Sequence, residues 1–204
     1  MKQKEYMLNS KLPINNLNTH VIRVVFLLSM FFVLGLADSV DGRVALHDAV
    51  YYENSEKVKE LLKNGSDVNV QNAAGLTPLH IAIKKRDLKI AQILLDNGAD
   101  IDAYDNRGNT PLLLSIKKKR LRLVKFLAIS GADVNLENDD SITPLHQAAF
   151  TGVPIIIEFL MNVGAEPNVK NSDGYSPYDF AVVKENKNAI EVLKSFTKKK
   201  FKSF

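Results

Sequence analysis

The apolar positions of this chain fall into short stripes of helical period. Leu79, Ala82 and Ile83 make one stripe, and after the polar run Lys84-Lys85-Arg86-Asp87, Leu88, Ala91, Leu94 and Leu95 make a second. The spacing predicts two antiparallel helices joined by a short turn. Thr77 stands before the first stripe as an N-cap, and Pro78 suits the first helical position, where its missing N–H costs nothing. Gly98 follows the second stripe and suits a left-handed residue that ends a helix. Residues 99–108 then read as an extended segment with a polar, glycine-bearing turn.

This unit recurs. Pro78, Pro111, Pro144 and Pro177 stand 33 residues apart, and Gly65, Gly98, Gly131 and Gly164 keep the same interval. Around the prolines the text reads Thr77-Pro78-Leu79-His80, Thr110-Pro111-Leu112-Leu113, Thr143-Pro144-Leu145-His146 and Ser176-Pro177-Tyr178-Asp179. A fixed period of this order means one supersecondary unit stacked on copies of itself. Period and motif together resemble the ankyrin repeat, from roughly Asp41 to Phe196. The resemblance implies an all-α solenoid of stacked helix-turn-helix units with projecting β-hairpin loops. Five units are expected, over 41–72, 73–105, 106–138, 139–171 and 172–197. One unit cannot bury both of its stripes, so terminal units are modified to face water. The first keeps Ala45-Leu46-His47-Asp48-Ala49 but lacks the Thr-Pro start. In the last, Thr197 replaces the terminating glycine, and residues 198–204 form a basic tail.

The amino-terminal segment is of another kind. Lys2, Lys4, Lys11 and Arg23 precede an uncharged run of 14 residues from Val24 to Ala37. A membrane-spanning helix needs about 20 residues, and small residues at Gly35 and Ala37 suit cleavage before Asp38. Residues 1–37 are therefore expected to be a signal peptide and the protein to be secreted or periplasmic. The alternative is an uncleaved membrane anchor through residues 24–37.

Charge and composition narrow the chemistry. The formal net charge is +4, but residues 38–197 carry 19 basic and 22 acidic residues. The basic excess lies at the two ends, so nothing in the overall charge argues for nucleic-acid binding by the repeats. With no cysteine, there is no disulfide and no thiolate metal site. His47, His80 and His146 share one repeat position, and in the ankyrin family that imidazole bonds neighbouring backbone and the capping threonine. Asp67, Asp100 and Asp133 recur where turns form. No catalytic, cofactor-binding or metal-ligating residue is expected, and the chain reads as a non-enzymatic interaction module, expected as a monomer.

The surface is what distinguishes one unit from the next. The resemblance implies that a partner meets the hairpin tips and the first helix with its following turn. Those turns read Tyr51-Tyr52, Lys84-Lys85, Lys117-Lys118, Phe150-Thr151 and Lys184-Glu185, which stacking would align into one ridge. Arg86 and Lys119 replace the glycine the family favours at that turn, retained as Gly152. The tips differ in sign, with Asn106 and Arg107 near Tyr104 at one and Glu137, Asp139 and Asp140 at the next. Tyr51, Tyr52, Lys84, Lys85, Tyr104, Arg107, Lys117, Lys118, Asp140 and Phe150 are thus the candidate partner-binding residues. The expected partner is a protein with an acidic surface. The Lys-, Asn- and Ile-rich composition resembles small exported ankyrin proteins of host-associated bacteria, which would make that partner a host protein. A binding protein serving the bacterium itself, and a nucleic-acid or anionic-surface binder using the ridge, are the alternatives.

Overall fold

A computed structural model describes residues 45–200, with side chains to 196; the expected leader over 1–37 and the end of the tail lie outside the described residues. Ten helices are described, in pairs: α1 (Ala45–Tyr51) and α2 (Ser55–Lys63), α3 (Pro78–Lys85) and α4 (Leu88–Asp96), α5 (Pro111–Lys117) and α6 (Leu121–Ile129), α7 (Pro144–Thr151) and α8 (Pro154–Asn162), α9 (Pro177–Val183) and α10 (Lys187–Lys200). Each pair is one unit. The first helices α1, α3, α5, α7 and α9 pack on one another in series, and each also packs on the second helix of its own unit.

The threonine-proline starts work as their chemistry requires. Thr77, Thr110, Thr143 and Ser176 lie in extended conformation, and each side-chain oxygen accepts from the backbone N–H three residues on. Proline follows at the first turn in all four units, where the donor it lacks would be unpaired anyway. At the other end of each unit, Gly65, Gly98, Gly131 and Gly164 all sit at positive φ.

The core is a column of equivalent residues. Leu46, Leu79, Leu112 and Leu145 are fully buried at one position, and Leu94, Leu127 and Leu160 are fully buried at another. Each contributes about 1.5–3 kcal/mol over an exposed side chain. The column ends at the last unit, where Tyr178 is only partly buried and Val182 is exposed in place of Val50, Ile83, Ile116 and Ala149.

Three expectations change. No strand is present among the described residues, so the projecting loops are turns rather than β-hairpins. Their arms are too short for a ladder, and a side chain closes them instead: Asn72 Oδ1 accepts from Ala74 N and Leu76 N, and Asp105 and Asn138 repeat the arrangement. Successive tips are then tied by single backbone bonds, Asn106 N to Ala74 O, Asp139 N to Arg107 O and Ser172 N to Asp140 O. Glycine is required at two tips by close approach, because a Cβ on Gly75 would strike Asn106 and one on Gly108 would strike Asp139. Second, α10 runs through Thr197 to Lys200, so the basic tail begins inside the helix. Neither glycine nor proline interrupts that stretch, and lysine is a good helix former. Third, the last turn pair is out of register as Lys184-Glu185. Glu185 shares its positive φ with Glu53, Arg86, Lys119 and Gly152, which makes Val183-Lys184 the true equivalent.

Candidate functional site

The ridge sits where the first helices end. Lys84, Lys117 and Lys118 are exposed there, with Tyr51 and Phe150 equivalent to Lys84 and Lys117 in the outer units. The turn that follows is strained at four of its five occurrences: φ is 57° at Glu53, 66° at Arg86, 56° at Lys119 and 55° at Glu185, against 68° at Gly152. A non-glycine residue in this region costs about 1–2 kcal/mol. Glycine is kept at 152 for contact, because a Cβ there would lie 2.7 Å from Asn186. Asn186 donates to Ala149 O at 3.0 Å and to Phe150 O at 3.1 Å, satisfying carbonyls at the end of α7.

The candidate residues are not equivalent in their surroundings. Lys85 Nζ lies 3.3 Å from Glu53 Oε1 and 4.5 Å from the centre of the Tyr51 ring, so this lysine is held by the preceding unit. Lys184 is held in the same way, 4.4 Å over Phe150. Among the described residues, no carboxylate lies within ion-pair distance of Lys84, Arg86, Lys117, Lys118 or Lys119. The middle of the ridge is therefore an uncompensated cationic strip, while its ends spend their lysines on aromatic rings. Tyr52, 74% exposed, meets Tyr51 edge-on at 5.4 Å.

Tyr104, Arg107 and Asp140 form a separate group at the other end of the first helices. A helix of eight residues spans about 12 Å, which sets the separation. Arg107 and Asp140 are exposed, and their carbonyls hold the next tips. The Tyr104 phenol is pushed above its ordinary value by burial and then by Asp102, Asp133, Asp100 and Glu137. The structure thus divides the sequence candidates into a basic ridge and a mixed-charge row of tips.

An apolar groove that the repeat pattern does not reveal lies at the carboxy-terminal end of the ridge. Phe180 lies 6.4 Å from Phe150 and 5.2 Å from His146, centroid to centroid. On one side of this pair is an open cleft of about 390 Å³, bordered by Lys117, Lys119, Ile142 and Gln147. On the other is one of about 240 Å³, bordered by Asp173, Tyr175, Val183 and Lys184. Tyr175 and Val183 are exposed, the latter at 68%. The available signal was Phe180, an aromatic in register with Gln147 on a helix face that the stack leaves accessible.

His47, His80 and His146 are scaffold. Thr77 N donates to His80 Nδ1 at 3.2 Å, which leaves Nε2–H to donate to Asn109 O in the next unit at 3.0 Å. His146 does the same with Thr143 and Tyr175, and His47 Nε2 reaches Leu76 O at 2.8 Å. Burial pushes His80 and His146 below the ordinary imidazole value, against the opposing effect of those carbonyl bonds. Among the described residues, no group of three His, Cys, Asp or Glu side chains could hold a metal ion, and no helix is long and apolar enough to cross a membrane.

A family model for ankyrin repeats, built of three copies, matches residues 46–138 and 118–202. The chain belongs to the ankyrin repeat family. No curated protein matches it in sequence. Ankyrin repeats are generally protein–protein interaction modules on a non-enzymatic fold. In this ankyrin domain the framework positions carry capping, stacking and core, which leaves the ridge, its apolar groove and the tips as surface free to vary.

Proposed function

We propose that this ankyrin domain binds a protein partner through the basic ridge and the apolar groove at its end, and catalyses no reaction. The observation that carries this reading is the strip of Lys84, Arg86, Lys117, Lys118 and Lys119, uncompensated by any described carboxylate and partly mounted on strained backbone. A scaffold gains nothing from clustered like charge, whereas an acidic partner is steered to it and oriented by it. Aromatic residues at both ends, Tyr51, Tyr52 and Phe150, supply contact area of the kind that dominates interfaces.

The test starts with capture of a partner by the full-length chain from the cells or host material in which the protein acts, identified by mass spectrometry. Lys84→Glu, Lys117→Glu, Lys118→Glu and Lys119→Glu are then combined in one variant. Lys85 is left intact because it pairs with Glu53. Affinity for the captured partner is expected to fall, most at low salt, with the melting temperature nearly unchanged. Undiminished affinity assigns the interface to the tips around Tyr104, Arg107 and Asp140.

The basic residues before the uncharged run from Val24 to Ala37 support export, with a mature start at Asp38 and a partner outside the producing cytoplasm, a host protein among them. Amino-terminal sequencing of the protein from its own cells tests this. An intact chain in the membrane fraction would assign the run to an anchor.

A further inference from the structure

The two clefts beside Phe150 and the strip of lysines are arranged in a fixed order along the stack, and that order specifies an occupant. Building on the ridge as a protein-binding surface, we infer that it takes an extended acidic peptide of the partner. Bulky apolar anchors sit on either side of Phe150, and the carboxylates run from there toward the amino-terminal units.

Size and spacing favour an extended chain. A cavity of about 150 Å³ accepts a benzene ring, so clefts of about 390 and 240 Å³ each have room for one large side chain with some backbone. Both clefts are lined by the Phe150 and Phe180 rings, whose centres are 6.4 Å apart. Side chains two residues apart on one face of an extended chain stand about 7 Å apart and would straddle that pair.

Charge sets the direction. The first cleft is bordered by Lys117 and Lys119, and beyond them lie Lys118, Lys84 and Arg86. The second cleft is bordered by Asp173, and its cation, Lys184, already covers the Phe150 ring. Glu185 stands exposed beside it. Acidic residues are thus favoured only on the side of the first cleft. Neighbouring helices pack about 10 Å apart and an extended residue spans about 3.3 Å, so each unit corresponds to about three residues of peptide. Carboxylates about three residues from the first anchor meet Lys117–Lys119, and those about six residues away meet Lys84 and Arg86.

The experiment is selection of phage-displayed peptides of about twelve residues, long enough to cross four units, on the full-length chain. Selected peptides are then synthesised and titrated by fluorescence polarisation. Enrichment of paired bulky apolar residues with acids on one side is expected. Phe150→Ala should weaken the best peptide about tenfold or more, as loss of a central aromatic contact does. Lys117→Glu with Lys119→Glu should weaken it strongly at low salt and less at high salt. That double variant changes exposed side chains, so it keeps the test valid if Phe150→Ala unfolds the groove. Failure to enrich such peptides, acids on the wrong side of the anchors, or equal competition by a single-stranded oligonucleotide would overturn the inference. If these peptides fail while the captured protein still depends on the ridge lysines, only the peptide inference falls. If both fail, the ridge is not the interface.

Discussion

Asp102 stands where adjacent units carry Asn69 and Asn135, and the difference exposes what that position does. Each asparagine bonds the next unit twice, Asn69 accepting from Asp100 N and donating to Gly98 O, Asn135 accepting from Glu166 N and donating to Gly164 O. Asp102 accepts from Asp133 N and has no donor for the second bond. Burial raises its carboxyl above the ordinary value; the bond from Asp133 N–H opposes this, and the charges of Asp133 and Asp100 add to it. Asp102→Asn is therefore expected to stabilise the domain by about 0.5–1.5 kcal/mol at neutral pH. Because the folded value lies above the unfolded one, the penalty of the charge disappears as pH falls through that raised value, and the gain should shrink with it. Thermal melts of both proteins across pH 7 to about pH 4 check the effect and its sign. The strained turn makes a second prediction. Arg86→Gly and Lys119→Gly relieve left-handed backbone and should each raise the melting temperature by about 2 °C. Gly152→Ala should lower it, through the same strain and the collision with Asn186. These outcomes would show that stability is spent at Arg86 and Lys119 on side chains the fold does not need.

At the scale of the element, His80 and His146 couple the starts of α3 and α7 to the next unit. His80 and His146 are pushed below the ordinary imidazole value, so below about pH 6.5 the unfolded chain binds more protons than the folded one. Their contribution is fully present above that pH and is lost as pH falls below it through the lowered folded value, because protonated Nδ1 no longer accepts from the threonine N–H. The melting temperature should accordingly fall between pH 7.5 and 5.5; a flat profile would contradict neutral buried histidines. Helix starts and helix pairs were legible in the sequence, since proline, threonine and glycine act locally and at fixed offsets, whereas the role of the histidines came from the family resemblance. The loop conformation was not legible, because whether two short arms pair as strands depends on the tip of the next unit. The final register was also obscured. Lys184-Glu185 looks like the other turn pairs, but the 33-residue period and the positive φ at Glu185 both identify Val183-Lys184 as their equivalent.

At the largest scale, the described repeats form a column of equivalent side chains closed by a last unit whose outer face is wet. Asn186 latches that unit to the end of α7, and loss of its two bonds in Asn186→Ala should cost about 1–3 kcal/mol and speed hydrogen exchange in α9 and α10 before the rest. Removing residues 174–204 should go further, baring Leu145 and Phe159 and lowering both solubility and melting temperature. The site was only half legible at this scale. Lysine positions could be counted along the ridge, but Lys85 and Lys184 turned out to be held by aromatic rings, and the groove around Phe180 required knowing which helix face stays open. On this reading a protein partner lies along the ends of the first helices. A photo-crosslinking residue placed at Lys118, on the ridge, is compared with one at Ile129, 79% exposed on the second-helix side. Crosslinks to the captured partner are expected from position 118 and none from 129; the reverse pattern would place the partner on the second helices instead.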